Sequence, residues 1–354
     1  MRLLDSYIFR TTVAAIVIVL LIISSLDLLA KLIDELGNLT DLYTFSEALM
    51  YVALGIPVSF YQFMPFAALV GGLVGLGSLA STSELVVMRA AGVSLLRLTW
   101  AVLKPVLLFI VAMLLFAEYV IPVSDQYAES RRSMLLQGKN KAVSSREGFW
   151  NREGNEFMHF NSVQTNGKLS GITRYRYDSQ GFLYSSSFAE LVLYINGRWR
   201  EENVTETLFS KTETSTKTYA SRYWDTTLSP KLLTVLVQDT DNLAISKLYR
   251  YANYLEKQNL GDENYWLVYW GKVLQPLVII SLVLVAISFI FGPLREATMG
   301  YRIFTGVVVG IVFQIVQKLM GPASLIYGLS PLLAVLLPIV FCLAYGLFLL
   351  SRTR

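Results

Sequence analysis

The sequence predicts an α-helical membrane protein with six transmembrane helices and one all-β domain inserted between the third and the fourth. Three observations predict it. Hydrophobic residues make up 54% of the 354-residue chain and charged residues only 16%, with mean hydropathy +0.49, whereas a soluble domain carries about 25% charged residues. Six stretches are apolar over the roughly 20 residues that a helix needs to cross the hydrocarbon core. Between the third and fourth stretches the pattern turns to short alternating runs separated by turn dipeptides, as antiparallel strands require.

The N-terminal segment MRLLDSYIFRTTVAAIVIVLLIISSLDLLAK begins like a signal peptide. Its apolar core is too long for one and no small-x-small cleavage site follows, so it reads as an uncleaved first crossing. The crossings fall at about residues 8–30, 48–79, 98–120, 268–291, 304–320 and 331–350. The second is too long for one straight helix, and Pro57 and Pro65 predict a kink or tilt within it. Arg2, Arg10, Arg89, Arg97, Arg295, Arg302, Arg352 and Arg354 all lie on alternate connections or at the termini, while the first-to-second loop is acidic. The positive-inside rule therefore puts both termini in the cytoplasm. Trp266, Tyr269 and Trp270 predict an aromatic belt at the outer entrance of the fourth helix.

Three parts follow: residues 1–123 with a short cytoplasmic helix near 82–92, an exported domain at 124–265, and the last crossings at 266–354. In the exported part, Gly154-Asn155, Asn166-Gly167, Gln180-Gly181 and Asn196-Gly197 mark turns between the runs EFMHFNSV, GITRYRYD and FAELVLYI. Arg174 and Arg176 share one strand face, Tyr175 and Tyr177 the other, which reads as a sandwich or jelly roll. Near 245–258, Leu248, Tyr251 and Leu255 return to helical spacing, with Ser246 expected as the N-cap.

Several function classes are excluded by what the chain holds. Cys342 is the one cysteine, so no internal disulfide forms, and the lone His159 rules out a multi-histidine metal site. The basic residues are scattered, which argues against nucleic acid despite a pI near 8.9. Gly271-Lys272 lacks the upstream glycine of a P-loop, and no nucleophile elbow or zinc motif is present. No catalytic residue, metal site or bound cofactor is expected. A secondary transporter calls for ionisable groups near the midplane, and a sensor calls for a cytoplasmic output module; neither is in the sequence.

The stretch ASTSELVVMRAAGVSLLRL, between the second and third crossings, is too short to cross a bilayer. Ser81 and Glu84 have the S-x-x-E spacing of a capping box, Gly92 suits a left-handed C-terminal position, and Arg89 sits favourably against the helix dipole. Such a helix is about 15 Å long. A lipid-surface helix carries a strongly basic polar face; here one arginine is balanced by Glu84, which favours docking to a protein. A permease driven by a separate nucleotide-hydrolysing subunit is the reading that results.

The motifs SELVVMRAAG (83–92), FGPLR (291–295), GPASLIYGLSP (321–331) and LDSYIFR (4–10) resemble those of the LptF/LptG family, permeases of the lipopolysaccharide export ABC transporter, and are nearer its LptG-type than its LptF-type members. The resemblance implies a jelly roll in the periplasm and a place in the bacterial inner membrane. It also implies an LptF-type permease as heterodimer partner, an LptB-type ATPase dimer using ATP and Mg, an LptC-type membrane-anchored protein and an LptA-type bridge. Lipopolysaccharide would enter from the outer leaflet of the inner membrane. The paralogous LptF-type role, or a secondary lipid transporter, is the alternative.

Candidate site residues follow from both readings. For ATPase coupling these are Ser83, Glu84, Leu85, Val87, Met88, Arg89 and Gly92, with Glu84 and Arg89 as polar contacts and Leu85, Val87 and Met88 as an apolar knob. Lys31 matches the family position that contacts the lipid head group, although Asp27 and Asp34 lie within pairing reach. Arg131, Arg132 and Lys318 are further head-group candidates on the same side. The first and fifth helices would form a lateral gate, with Gly306 and Gly310 allowing close approach and sliding. Ala67, Gly71 and Gly75 read as ordinary helix packing, and Glu118 is left without a role.

Overall fold

The computed structural model describes residues 2–136, 149–163, 168–210, 213–226, 228, 240–257, 263–293 and 297–352. It divides into a helical unit, Met1–Arg132 with Thr240–Arg354, and a β unit, Ser133–Asp239.

In the helical unit the chain runs through α1 (Arg2–Leu36), α2 (Phe45–Leu54), α3 (Ile56–Ser81), α4 (Glu84–Ala90) and α5 (Leu95–Leu115). A π turn (Phe116–Val120) then leads into α6 (Ile121–Leu136). After a 3-10 turn (Thr240–Asn242) come α7 (Ile245–Lys257), α8 (Glu263–Phe291), α9 (Met299–Tyr327) and α10 (Pro331–Arg352). Among the described residues six helical spans are long and apolar enough to cross a bilayer, as the sequence predicts. The second crossing differs from expectation: it is two helices, α2 and α3, broken at Gly55. Pro57 explains the break, since it has no N–H to continue α2 and is tolerated only in the first turn of α3.

α3 and α8 form the centre of this unit. Two thirds (67%) of the apolar window is buried in each, against 22% in α1 and 11% in α9. Small residues make the centre possible. A Cβ on Gly71 would lie 2.6 Å from Ile16 Cα, and one on Gly75 would lie 3.2 Å from Ala15 Cβ. The stripe of Ala67, Gly71 and Gly75 thus lets α1 lie directly on α3, which is the packing role expected of it. The outer helices keep apolar side chains exposed, among them Ile22, Leu26 and Ile33 on α1 and Phe304, Val312 and Leu319 on α9.

The π turn gives Glu118 the role that the sequence left open. Its carboxylate accepts from the Ser246 hydroxyl at 2.5 Å and from the Ser246 backbone N–H at 3.2 Å. Ser246 is therefore not the N-cap expected for it. α7 starts at Ile245, and Ser246 is a first-turn residue whose free N–H is satisfied by a carboxylate from another helix, where the dipole also favours negative charge. α7 then buries Leu248, Ala252 and Leu255. Tyr249 joins Trp266, Tyr269 and Trp270 in one aromatic cluster, with ring centroids 5.1–6.3 Å apart.

The β unit is an antiparallel sheet of β1 (Phe149–Glu153), β2 (Glu156–Val163), β3 (Lys168–Tyr177), β4 (Leu183–Ile195), β5 (Arg198–Phe209) and β6 (Thr214–Trp224), paired in sequence order. This bears out an all-β insert. Among the described residues it is a meander, without the long Greek-key connections of a jelly roll. Asn196 and Gly197 both have positive φ, 51° and 82°, and close the β4–β5 hairpin as a two-residue turn. Gly154 and Gly181 also take positive φ in their predicted turns, while Asn166-Gly167 falls outside the described residues.

The arginine face of β3 is the inner one. Arg174 bridges Glu156 (2.9 Å) and Glu201 (2.8 Å), Arg222 bridges Glu201 (2.6 Å) and Glu206 (2.9 Å), and Arg176 pairs with Glu206. Three cations and three anions alternate in one chain, with Glu201 and Arg174 almost wholly buried. Burial pushes the Arg174 guanidinium down from its ordinary pKa, against the pull of Glu201 and Glu156. Gly171 (φ 68°) and Asn203 (φ 53°) sit on a line across the sheet where the alternation of buried residues slips by one. The strand register runs on through this line without a bulge.

Candidate functional site

The short helix begins at the end of α3. Ser81 is the last residue of α3, and its hydroxyl donates back to Ser78 O at 2.8 Å. No capping box forms, which corrects the expected start. Ser83 precedes α4 in the left-handed region at φ 62°, and no side chain caps the helix. Glu84 turns to accept from Thr82 Oγ1 at 2.8 Å and from Tyr7 Oη of α1 at 3.4 Å. The far end is as expected. Gly92 has φ 83°; its N–H donates to Arg89 O at 3.0 Å and the Val93 N–H donates to Met88 O at 3.1 Å. That pair of bonds is a Schellman motif, which satisfies the last carbonyls and stops the helix.

α4 has an inner and an outer side. Leu85 and Met88 are buried in the apolar core of the bundle, so they anchor the helix rather than protrude from it as a knob. Val87 is 65% exposed and Val86 49%, and Arg89 is exposed beside them. The surface that can meet another molecule is therefore Val86, Val87 and Arg89, flanked by Glu84. The sequence did not single out Val86, because its apolar character does not distinguish it from its buried neighbours.

At the opposite end of the bundle the head-group candidates separate. Lys31 Nζ lies 2.7 Å from Asp27 Oδ2 and donates to Ser59 Oγ at 2.9 Å, while Ser59 donates to Asp27 at 2.5 Å. The side chain of Lys31 remains 37% exposed. Arg131 forms a two-pronged pair with Glu47, at 2.6 and 2.7 Å. Arg132 is buried: both oxygens of Glu35 accept from it at 3.1 Å, and Tyr51 offers its ring at 5.2 Å. Tyr43 completes this cluster by donating to Glu35 at 3.2 Å. Burial first, and then the Glu35 carboxylate, raise its phenol pKa. Arg131 and Arg132 thus tie α6 to α2 and α1, Arg131 from an exposed position and Arg132 from a buried one. Lys318 is exposed on α9, with no ion-pair partner among the described residues.

Gly306 and Gly310 face α3. A Cβ on Gly306 would lie 2.5 Å from Leu73 Cδ1, and one on Gly310 would lie 2.6 Å from Phe66 Cδ2. Within this chain the close neighbour of both glycines is α3. Arg302, one turn earlier on the same face, is 2% exposed and donates from Nη1 to Gly77 O at 2.6 Å. From sequence Arg302 has only a topological meaning, since its contact lies 225 residues away.

The chain as a whole is similar to known proteins. The model of the family described as lipopolysaccharide export system permease LptF/LptG matches residues 6–352. The chain is 34% identical over 353 residues to the lipopolysaccharide export system permease protein LptG of Escherichia coli (strain K12), covering 99% of this chain and 98% of that protein. Its similarity to LptG of Haemophilus influenzae is 32% over 354 residues, covering 99% of both. Six apolar spans, an inserted antiparallel sheet and a match that extends over almost every residue place the chain in the LptF/LptG family of lipopolysaccharide export permeases.

Proposed function

We propose that this chain is an LptG-type permease subunit that, with an LptF-type partner, extracts lipopolysaccharide from the outer leaflet of the bacterial inner membrane. An LptB-type ATPase dimer drives the step by binding α4, and LptC- and LptA-type proteins receive the lipid. Both termini are cytoplasmic and the β unit is periplasmic. The observation that carries this reading is α4: a stopped, seven-residue helix anchored by Leu85 and Met88 that leaves Val86, Val87 and Arg89 uncovered. A helix so short has no span to contribute, and its outer surface fits a protein groove better than an anionic lipid surface.

The energetics require a partner. Each CH₂ moved from an apolar environment into water costs about 0.8 kcal/mol, so a multi-acyl lipid needs a continuous apolar path as well as an energy source. The exposed apolar faces of α1 and α9 are suited to line such a path. Lys31, half held by Asp27 and Ser59, is placed to meet a head-group phosphate.

The test is purification of the chain with its neighbours from the native membrane. An ATPase and a second permease should accompany it, and lipopolysaccharide should stimulate ATP hydrolysis. Glu84→Lys reverses the charge beside the exposed surface of α4; the ATPase should dissociate or its hydrolysis should no longer depend on lipid. A Glu84→Lys complex that assembles and exports normally removes α4 from the coupling role.

A further inference from the structure

Among the described residues, α9 meets α3 along a seam of small residues and one arginine. On α9 the buried positions Arg302, Gly306 and Gly310 recur every four residues. Opposite them on α3 stand Gly77, Leu73 and Phe66. Two rungs of the seam are close apolar packing, which permits sliding. The third is a buried cation bound to a backbone carbonyl, which does not. A guanidinium 2% exposed is costly to bury and must keep its hydrogen bonds. Gly77 O lies one turn before the end of α3. A Cβ on residue 77 would lie 3.2 Å from both Cδ and Nη1 of Arg302, so glycine there leaves the space that the guanidinium uses.

The place of this rung is what gives it meaning. Four residues after Gly77, α3 ends, and α4 follows across Thr82 and Ser83. That junction is stiff. Thr82 gives its one hydroxyl proton to Glu84 at 2.8 Å, with Ser78 O (3.2 Å) and Leu79 O (3.3 Å) as the alternative acceptors, and Ser83 is held in the left-handed conformation. At the other end of the rung, Thr298 caps α9 by accepting from the Tyr301 N–H at 3.4 Å, which fixes where the second turn and Arg302 begin. A push on α4 therefore reaches Gly77 with little loss, and reaches α9 through Arg302.

We propose that Arg302 is the positioning residue that makes α9 follow α4, clamping the gate helix to the turn of α3 that carries the ATPase-binding helix. The proposal rests on the function proposed above and adds to it the route by which work passes from α4 to the lipid path. Without the clamp, α3 and α9 keep the apolar packing at their glycines. ATP hydrolysis then moves α4 and α3 while α9 lags.

The experiment uses the full complex in proteoliposomes containing purified lipopolysaccharide, with soluble bridge protein as acceptor. Two quantities are measured: ATP hydrolysed per lipid released, and the ATP-dependent change in distance between spin labels at the exposed Ile315 of α9 and Phe341 of α10. Arg302→Met should raise the ATP spent per lipid roughly tenfold, within the usual range of coupling between sites, and should abolish the distance change. Arg302→Lys, which can still donate to Gly77 O, should restore both in large part. Gly77→Val displaces the guanidinium without removing it and should reproduce the Arg302→Met result; it decides the question if Arg302→Met fails to assemble. A distance change and stoichiometry that survive in Arg302→Met, or in Gly77→Val, overturn the clamp. If the unaltered complex shows no lipid-stimulated ATP hydrolysis, the proposed function itself has failed, a result distinguishable because it precedes any substitution.

Discussion

Lys31 and Arg132 show how similar cations near one end of a bundle come to do different work. Lys31 keeps over a third of its side chain in contact with solvent and shares Asp27 with Ser59, so a phosphate could draw it away at small cost. Replacing it with alanine should weaken lipopolysaccharide capture about tenfold, the loss of one charge-assisted hydrogen bond, as read by photo-cross-linking of lipid to the purified complex; undiminished capture removes Lys31 from the site. Arg132 has no such freedom. Its alanine variant would leave Glu35 buried and uncompensated, a loss of about 3–5 kcal/mol, visible as a lowered unfolding temperature in detergent. Changing both Arg132 and Glu35 to methionine should recover most of that loss, and a double variant as unstable as the single one would contradict the account. The sequence made half of this legible. Asp27 and Lys31 are four apart on one helix, so their pairing can be read from spacing alone. Glu35 and Glu47 lie 97 and 84 residues from the arginines they hold, a distance at which one chain gives no sign of contact.

At the scale of elements, the helices follow from apolar length, and their ends follow from local chemistry. Where that chemistry is purely local, expectation and structure agree: Gly92 ends α4 and Asn196-Gly197 turns β4 into β5. Where a second element intervenes, they part. The S-x-x-E spacing at Ser81 promises a capping box, but α3 runs on through Ser81, and Glu84 is drawn to Thr82 and Tyr7 instead. The break at Gly55 was legible as a proline-bearing overlong crossing, though not as two helices. Contact between helices can be tested through their glycines. Gly71→Ala brings a methyl within 2.6 Å of the α1 backbone, so α1 must shift, at a cost of about 1–3 kcal/mol. Gly271→Ala meets nothing within 4 Å and should be silent. Thermal unfolding of the two variants side by side checks the pair, and equal stability would mean that α1 does not lie on α3 as described.

For the molecule as a whole, composition and the distribution of arginines carried the fold class and its expected orientation, because a bilayer imposes on every segment the same two demands of apolar length and charge asymmetry. In a variant lacking Cys342, a single cysteine at the exposed Val87 should react with an impermeant reagent only from the cytoplasmic side. One at the exposed Tyr223 should react only from the periplasmic side, and labelling of both from one side would overturn the topology. The interior of the β unit was less legible. Alternation placed Arg174 and Arg176 together on one face, but polarity alone points such a face to solvent. It is inward because Glu201 and Glu206 on β5 supply the opposite charges, with Arg222 on β6 between them.

The π turn at Phe116–Val120 has one more consequence. A helix advances about 100° per residue, and a π turn accommodates one residue more than an α-helix would hold. Downstream, in α6, the residue count thus runs one ahead of a regular helix. Deleting a single residue here, a change that scrambles the facing of most helices, would let the strand of hydrogen bonds close into regular α form. It would leave Arg131 and Arg132 facing their carboxylates, because a π turn rotates the chain about as far as an α segment one residue shorter. The irregularity absorbs a surplus residue without twisting the rod, so the sides presented before and after it keep their neighbours.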